Sequence, residues 1–268
     1  MMREVTFCER STITEAWALV LGRPVPVIPE EPAAIALTAK RTLRESGPGR
    51  ELHREPALIV AEIPREGPVA PFWSQQWSWD SGQLRARVGH RYLSVHRFAD
   101  ETHRYETYER SLEPALAPWL DACSQTYDDA LIMPAFEQVA YGYINTFRFA
   151  STNFDLSQAF HLNLGVQLEG QHDGLDGVDI KLYYRDKGRM DAQVMVQIAA
   201  RQGPDADESL LVQTKTSATI TVNNGFWKDH GRIKREVLAA KTIAKRAFFE
   251  LATERTHLEM GAQYDDSP

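Results

Sequence analysis

Hydrophobic and polar residues alternate along several segments in the C-terminal half of this chain. Such alternation, with a period of two, is typical of β-strands that bury one face. The alternating segments begin near Phe160, Val178, Met190 and Leu210, and short connectors rich in Gly, Asp and Pro separate them. Because only antiparallel strands are joined by loops this short, we predict a four-stranded antiparallel meander with one face in water.

The N-terminal half contains similar strand patterns and one ambiguous segment. Alternation over residues 72–96 is interrupted at 80–82 and 89–91, which predicts strands joined as hairpins. Another strand is predicted to end at Phe149. Residues 12–21 fit a β-strand or a short capped helix equally well. We interpret the proline-rich stretch 50–71 as a loop around one short strand at 58–63.

Apolar residues with helical spacing occur in two segments. The first, residues 112–127, contains Pro114 and Pro118, so we expect its helix to kink or break. The second, residues 233–251, predicts a long helix that lies on the dry face of the meander. The residues after Thr256 are expected to form a frayed tail.

These patterns predict an α+β fold with two modules. Each module is an antiparallel sheet that a helix covers on one face. The first module, residues 1–150, contains the N-terminal strands, the hairpin and the first helix. The second, residues 151–268, contains the four-stranded meander and the C-terminal helix.

Composition and charge exclude several classes of protein. The chain has 268 residues, of which 43% are hydrophobic and 25% charged, as in ordinary globular proteins. Its net charge of −7 excludes a uniformly basic nucleic-acid coat. Charge interrupts the N-terminal residues too often for a signal peptide, and no apolar run is long enough for a membrane helix. Two cysteines, Cys8 and Cys123, cannot form a disulfide framework, so we predict a cytoplasmic protein.

Catalytic motifs are scarce. The sequence contains no glycine-rich phosphate loop, no serine-hydrolase elbow and no zinc-ligand spacing, so we predict neither a cofactor nor a metal site. One enzyme-like arrangement exists: Asp155 precedes Asp179 and Lys181 in a pattern similar to that of metal-dependent nucleases. Two carboxylates could hold a divalent cation there, while the lysine stabilises a hydroxide or a phosphate. The same residues also fit the solvated face of an antiparallel sheet.

A basic hairpin is the first candidate binding site. Arginines and two ring-bearing residues alternate here, and the segment 83–104 has a local charge of +3. Rings of this kind stack on bases while guanidinium groups hold phosphates. The alternative is a solvated hairpin whose charges protect a sheet edge. The candidate residues are Arg85, Arg87, Arg91, Tyr92, His96 and Arg97.

The wet face of the predicted meander is the second candidate. It is rich in amides and hydroxyls and poor in charge, which suits either a hydrated surface or a protein-binding face. Its residues are Asn163, Gln167, Gln193, Gln197, Gln213 and Ser217.

Several short motifs follow one another in a characteristic order. The strand 93–96 precedes a helix start, Tyr105-Glu106-Thr107-Tyr108-Glu109, and the strand Tyr143-Ile144-Asn145 follows. The segment 249–254, which begins Phe-Glu, lies in the last helix. In this order the chain resembles a sporadically distributed bacterial family of unknown function. That family has a Tyr-x-x-Trp-Glu helix start, an Arg-Tyr-Ile-Asn strand and a Phe-Glu C-terminal helix. This chain departs from it at Tyr108, where tryptophan is usual, and at Gly142, which replaces the arginine.

The resemblance implies an accessory protein of mobile elements or defence systems, without catalytic residues to transfer. Our first hypothesis is therefore a non-catalytic binding or accessory protein that recognises a protein partner. The second is a nucleic-acid-binding protein that uses the basic hairpin. The third is a metal-dependent hydrolase. No membrane association is expected.

Overall fold

The computed structural model describes residues 5–8, 12–22, 38, 52–59, 72–81, 84–88, 92–99, 108–128, 135–149, 156–162, 177–202, 210–260 and 262–264. The described fold is α+β, with a large antiparallel sheet and few helices.

Nine strands form the large sheet, in the order β3-β4-β5-β6-β2-β7-β10-β9-β8. Every neighbouring pair is antiparallel. The remaining two strands, β1 and β11, pair with each other. The strands are β1 (Val5–Cys8), β2 (Ile13–Gly22), β3 (Leu52–Ile59), β4 (Phe72–Ser81), β5 (Leu84–Val88), β6 (Tyr92–Phe98), β7 (Ala135–Phe149), β8 (Gly177–Arg185), β9 (Ala192–Gln202), β10 (Leu210–Phe226) and β11 (Ala262–Tyr264).

Four helices are described: α1 (Tyr108–Asp128), α2 (Leu156–Ala159), α3 (His230–Leu251) and α4 (Glu254–Glu259). Helix α3 contacts β7, β9 and β10, and α1 contacts β5 and β6. The ion pair Lys234–Glu113 and a 3.1 Å contact between His230 Nδ1 and Asp121 Oδ1 join α1 to α3. None of the described helices is long and apolar enough to cross a membrane.

The core lies between the sheet and the helices. The apolar stripe of α3 includes Ile233, Val237 and Phe248, all at most 1% exposed. The ring of Phe248 stacks on Phe147 of β7, with 6.3 Å between centroids. The hydroxyl of Tyr143 donates a 2.8 Å hydrogen bond to the carbonyl oxygen of Ala244. The sequence predicted both the alternation along β7 and the helical period of α3. The apolar side chains of the two elements therefore pack against each other.

Several expectations from the sequence are confirmed. The ambiguous segment is strand β2, because its buried residues alternate along Ala16, Ala18 and Val20. Both predicted N-terminal hairpins form, since β4 pairs with β5 and β5 with β6. The three later meander strands are β8, β9 and β10, paired in sequence.

Other expectations need correction. Helix α1 continues through Pro114 and Pro118 without a break. Strand β3 begins at Leu52, earlier than predicted, because the sheet edge tolerates Pro56 within a strand. The last residues do not simply fray: α4 follows Thr253, and β11 pairs with the N-terminal β1.

The first predicted meander strand lies mostly outside the described residues. Of residues 160–168, the structure describes 160–162, and these do not belong to the large sheet. Phe160 forms an isolated bridge with Ala252, after the short helix α2. Strand β10, which the meander prediction placed at an edge, also pairs with β7, so strands from both halves of the chain share one sheet. The proposed module boundary near residue 150 remains a prediction.

Candidate binding face

The large sheet has two chemically different faces. On the helical face, side chains pack against α1 and α3. We call the opposite side the polar face. It carries the odd-numbered residues of β2, β5, β8, β9 and β10 and the even-numbered residues of β6 and β7, since side chains alternate along each strand. The register places one row of these residues directly across seven strands: Arg85, His96, Trp17, Gly142, Ser217, Met195 and Tyr183.

This face unites the two candidate sites that the sequence suggested separately. Arg85, Arg87 and His96 of the basic hairpin lie on it, at β5 and β6. The amide-rich set lies on the same face at β9 and β10, through Gln193, Gln197, Gln213 and Ser217. Strands β2 and β7 connect the two sets. Asn163 and Gln167 fall outside the described residues.

The centre of the polar face is a packed aromatic contact that the sequence did not reveal. A Cβ added to Gly142 would lie 2.6 Å from Cε2 of Trp17 and 2.9 Å from Cβ of Ser217. The Trp17 ring therefore occupies the space that a side chain at position 142 would need. The ammonium group of Lys215 lies 5.9 Å from the centre of that ring, within cation–π range.

A second aromatic group organises the basic hairpin. The Phe98 ring stacks on His96 at 6.4 Å, and the Arg85 guanidinium lies 5.5 Å from the centre of the Phe98 ring. His96 Nδ1 is 2.7 Å from a carboxylate oxygen of Glu15 on β2, and its Nε2 is 3.3 Å from the Ser94 hydroxyl. These contacts hold the hairpin to the centre of the sheet.

The remaining residues of the basic hairpin have different surroundings from those of Arg85 and His96. Nε of Arg87 is buried and has no hydrogen-bond partner among the described residues. Arg97 pairs in register with Leu84 and Ala16, so it lies on the helical face, away from Arg85. Tyr92 lies opposite Leu21 in the register. Arg91 is outside the described residues.

The polar face is positively charged. Among the described side chains it carries seven cationic residues against two acidic ones, Glu15 and Asp179, which gives a net charge of +5. The whole chain has a net charge of −7, so the charge distribution is strongly asymmetric. By register, Glu55 of β3 and Asp80 of β4 lie on the same side of the sheet, and with them the net charge of this side is +3. The cationic residues are Arg85, Arg87, Arg148, Lys181, Arg185, Arg201 and Lys215.

The residues of the hydrolase hypothesis are also located. Asp179 and Lys181 lie on the polar face of β8, and both are exposed. The Gln197 amide donates to both carboxylate oxygens of Asp179, at 2.8 and 3.0 Å. Asp155 lies outside the described residues. Within the described part of the chain, no three His, Cys, Asp or Glu residues group closely enough to hold a metal ion.

A buried thiol lies far from this face. Cys123 of α1 is 1% exposed, and burial raises the pKa of its thiol strongly, because a thiolate there would lose its hydration. The thiol therefore stays protonated and packs as a small apolar group.

Comparisons with known proteins add little. No family model matches the chain, and no curated protein matches it. Among solved structures, it is similar to the di-domain ARO/CYC BexL from the BE-7585A biosynthetic pathway at 10% identity, over 95% of this chain and 99% of that one, with a TM-score of 0.20. The di-domain ARO/CYC StfQ from the steffimycin biosynthetic pathway is 11% identical over 88% and 96% of the chains, with a TM-score of 0.17. Similarity at this level assigns neither a fold nor a function.

Proposed function

We propose that this chain is a non-catalytic binding protein, an accessory subunit whose polar face recognises an acidic protein partner. The observation that carries the proposal is the net positive charge of that face, +5 among its described side chains, in a chain of net charge −7. A positive face attracts acidic surfaces and steers them toward one side of this protein, which favours binding in one orientation.

The chemistry between the charges also supports a protein partner. Amides and hydroxyls, such as Gln193, Gln213 and Thr219, separate the cations and can both donate and accept hydrogen bonds. Two aromatic rings of this face, Trp17 and Phe98, already pack on their neighbours. A flat surface of charges and amides suits another protein better than stacked bases.

The chain acts in the cytoplasm, in the mobile-element or defence setting that the family resemblance implies. It consists of two modules, 1–150 and 151–268, and one helix covers each. The contacts of α1 with β5 and β6, and of α3 with β9 and β10, support this division.

Purification of tagged protein from its own host tests the proposal. We expect native mass spectrometry to detect a stoichiometric protein partner, with a low ratio of absorbance at 260 and 280 nm. The variant Arg148→Glu/Arg201→Glu reverses two exposed cations of the polar face, which flank Leu211 in the register. We expect it to bind the partner at least about tenfold more weakly and to change folding stability by less than about 0.5 kcal/mol.

The matched control is Lys228→Glu/Arg235→Glu. It makes the same charge change at exposed positions just before and within α3, away from the polar face. This control should keep the partner. If both double variants lose partner affinity equally, the net charge of the chain alone determines binding. That result would contradict recognition by the polar face.

Nucleic-acid binding is the second candidate, supported by the alternation of Arg85 and Arg87 on β5 and by the Arg85–Phe98 contact. It predicts a high absorbance ratio and RNA or DNA that salt releases. It also predicts that Arg85→Glu/Arg87→Glu lowers the affinity for a labelled oligonucleotide and reduces the salt dependence. A titration with Mg²⁺ or Mn²⁺ tests the hydrolase hypothesis. If neither ion binds near Asp179, the hypothesis is wrong.

A further inference from the structure

Strand β8 ends the large sheet in the part of the chain that the structure describes. It is also unusually apolar for an edge. Leu182, Tyr183 and Tyr184, three consecutive residues, are 37%, 56% and 42% exposed. An edge strand presents unpaired backbone N–H and C=O groups, so exposed large side chains beside them favour pairing with another strand.

The opposite edge of the sheet lacks this feature. Strand β3 carries Pro56 near its middle, and proline cannot donate a ladder hydrogen bond. Strand β8 contains no proline, and its only glycine is Gly177 at its first position. One edge of the sheet is thus protected against further pairing, and the other is suited to it.

We propose that β8 pairs antiparallel with β8 of a second copy of this chain, around a two-fold axis through Leu182. This register places Asp179 opposite Arg185 of the other copy, and by symmetry it forms this charge pair twice. On the other face, Leu182 meets its own copy and Ile180 meets Tyr184, so the exposed apolar residues cover one another.

Charge selects this register over its neighbours. A two-fold axis through Lys181 places the two copies of that lysine directly opposite each other. An axis through Tyr183 places Lys181 opposite Arg185. Like charges opposite each other destabilise a strand pair, whereas Asp179–Arg185 pairs stabilise it. Neither Lys181 nor Arg185 forms an ion pair with another described side chain, so both cations are available.

The pairing has a consequence for binding. Directly opposite residues share a sheet face, so an axis through Leu182 keeps both polar faces on the same side of one continuous sheet. The dimer would present two binding faces side by side, which raises avidity for a partner with repeated acidic sites. This consequence rests on the proposed function, but the pairing itself does not.

Sedimentation velocity of the full chain, from about 1 μM to about 1 mM, tests the pairing because a short strand interface gives modest affinity. We expect a monomer–dimer equilibrium. Asp179→Arg and Arg185→Asp should each weaken it at least about tenfold, since each places like charges opposite each other. The double variant Asp179→Arg/Arg185→Asp restores opposite charges and should recover the dimer to within about threefold of the native affinity.

Oxidative crosslinking provides a second readout. In the proposed register the two Leu182 positions face each other, so Leu182→Cys should form an intermolecular disulfide. Leu258→Cys, at an exposed position on α4, is the matched control and should not. The unmodified chain, which retains Cys8 and Cys123, gives the background.

Three outcomes would overturn the pairing. The first is a monomer at every concentration, as expected if another segment of the same chain covers β8. The second is a dimer that both single charge reversals leave intact. The third is a charge-swapped double variant that folds but stays monomeric. None of these outcomes bears on partner binding, so failure of the pairing is distinguishable from failure of the proposed function.

Discussion

The two faces of the sheet arise from the same strands but differ in chemistry. On the helical face, buried residues such as Val95, Ile220 and Tyr143 pack against α1 and α3. On the polar face, one residue further along each strand, charges and amides alternate around a small packed centre at Trp17. Because each strand contributes to both faces, one sequence pattern separates residues that stabilise the fold from residues available for recognition.

The largest loss of folding stability is expected from a substitution on the helical face. Phe248→Ala removes a ring that contacts Tyr143 and Phe147, and it should lower the free energy of unfolding by about 3–5 kcal/mol. Urea denaturation measures the loss. Phe226→Ala, which truncates a 44% exposed ring, is the control and should cost about 1 kcal/mol or less. Similar losses in the two variants would mean that the core does not lie where we place it.

An intermediate effect is expected at the centre of the polar face. Gly142→Ala forces a methyl group against the Trp17 ring and should destabilise the fold by about 1–3 kcal/mol. Trp17→Ala in the same chain should relieve part of that cost, because it removes the atoms that clash. A double-mutant cycle measures this coupling.

Gly231→Ala is the control for that substitution. Position 231 lies in the first turn of α3, and its nearest neighbour to an added Cβ is 3.7 Å away. This change should be neutral or slightly stabilising, since alanine favours helix more than glycine does. Additive effects of Gly142→Ala and Trp17→Ala would refute the packed centre.

The smallest expected effect is a dependence of folding stability on pH, which arises from His257 of α4. Burial lowers the pKa of His257, which packs 5.3 Å from the Phe249 ring, and the nearby His161 lowers it further. A backbone hydrogen bond at Phe249 and the charge of Glu254 oppose this shift. A lowered histidine pKa means that the unfolded chain binds the proton more readily. Its contribution to stability is therefore complete above the unfolded pKa and is lost as pH falls through the folded pKa.

Thermal unfolding measured between about pH 7.5 and 5 tests this prediction. The wild type should lose stability toward the acid end by less than about 1 kcal/mol from this group, because solvent screens the partly exposed ring. His257→Gln should show a shallower decline. An identical pH dependence in both proteins would show that His257 does not contribute.

Local periodicity was sufficient to predict most individual elements. Strands β5–β10 and helices α1 and α3 each have a long, regular pattern, so the buried residues were identifiable without a structure. Errors occurred where the signal was weak or misleading. Pro114 and Pro118 predicted a break in α1, but the helix is continuous and packs against β6. Pro56 led us to predict a loop where the edge strand β3 forms. The terminal β1–β11 pair joins residues too far apart in sequence for any local pattern to reveal.

The positions of the candidate residues in the sheet, not their role, were predicted in part. Residue type was sufficient to select Arg85, His96 and Gln197, and alternation placed each on the exposed side of its own strand. Residue type alone grouped Arg97 with Arg85, although alternation gives Arg97 the parity of Leu93 and Val95, on the other face. Sequence patterns also missed Trp17 and Lys215. These residues contact each other across β7, from β2 and β10.

The sequence by itself determined the strand and helix periods, the composition of each face and the absence of familiar catalytic motifs. These properties depend on residues close together in the chain. Only the tertiary structure decided that β2 pairs with β7, so that the basic hairpin and the amide-rich strands form one face. Pairing between distant strands depends on the combined burial of many residues on both. For that reason, no single segment encodes the surface on which this protein's proposed function depends.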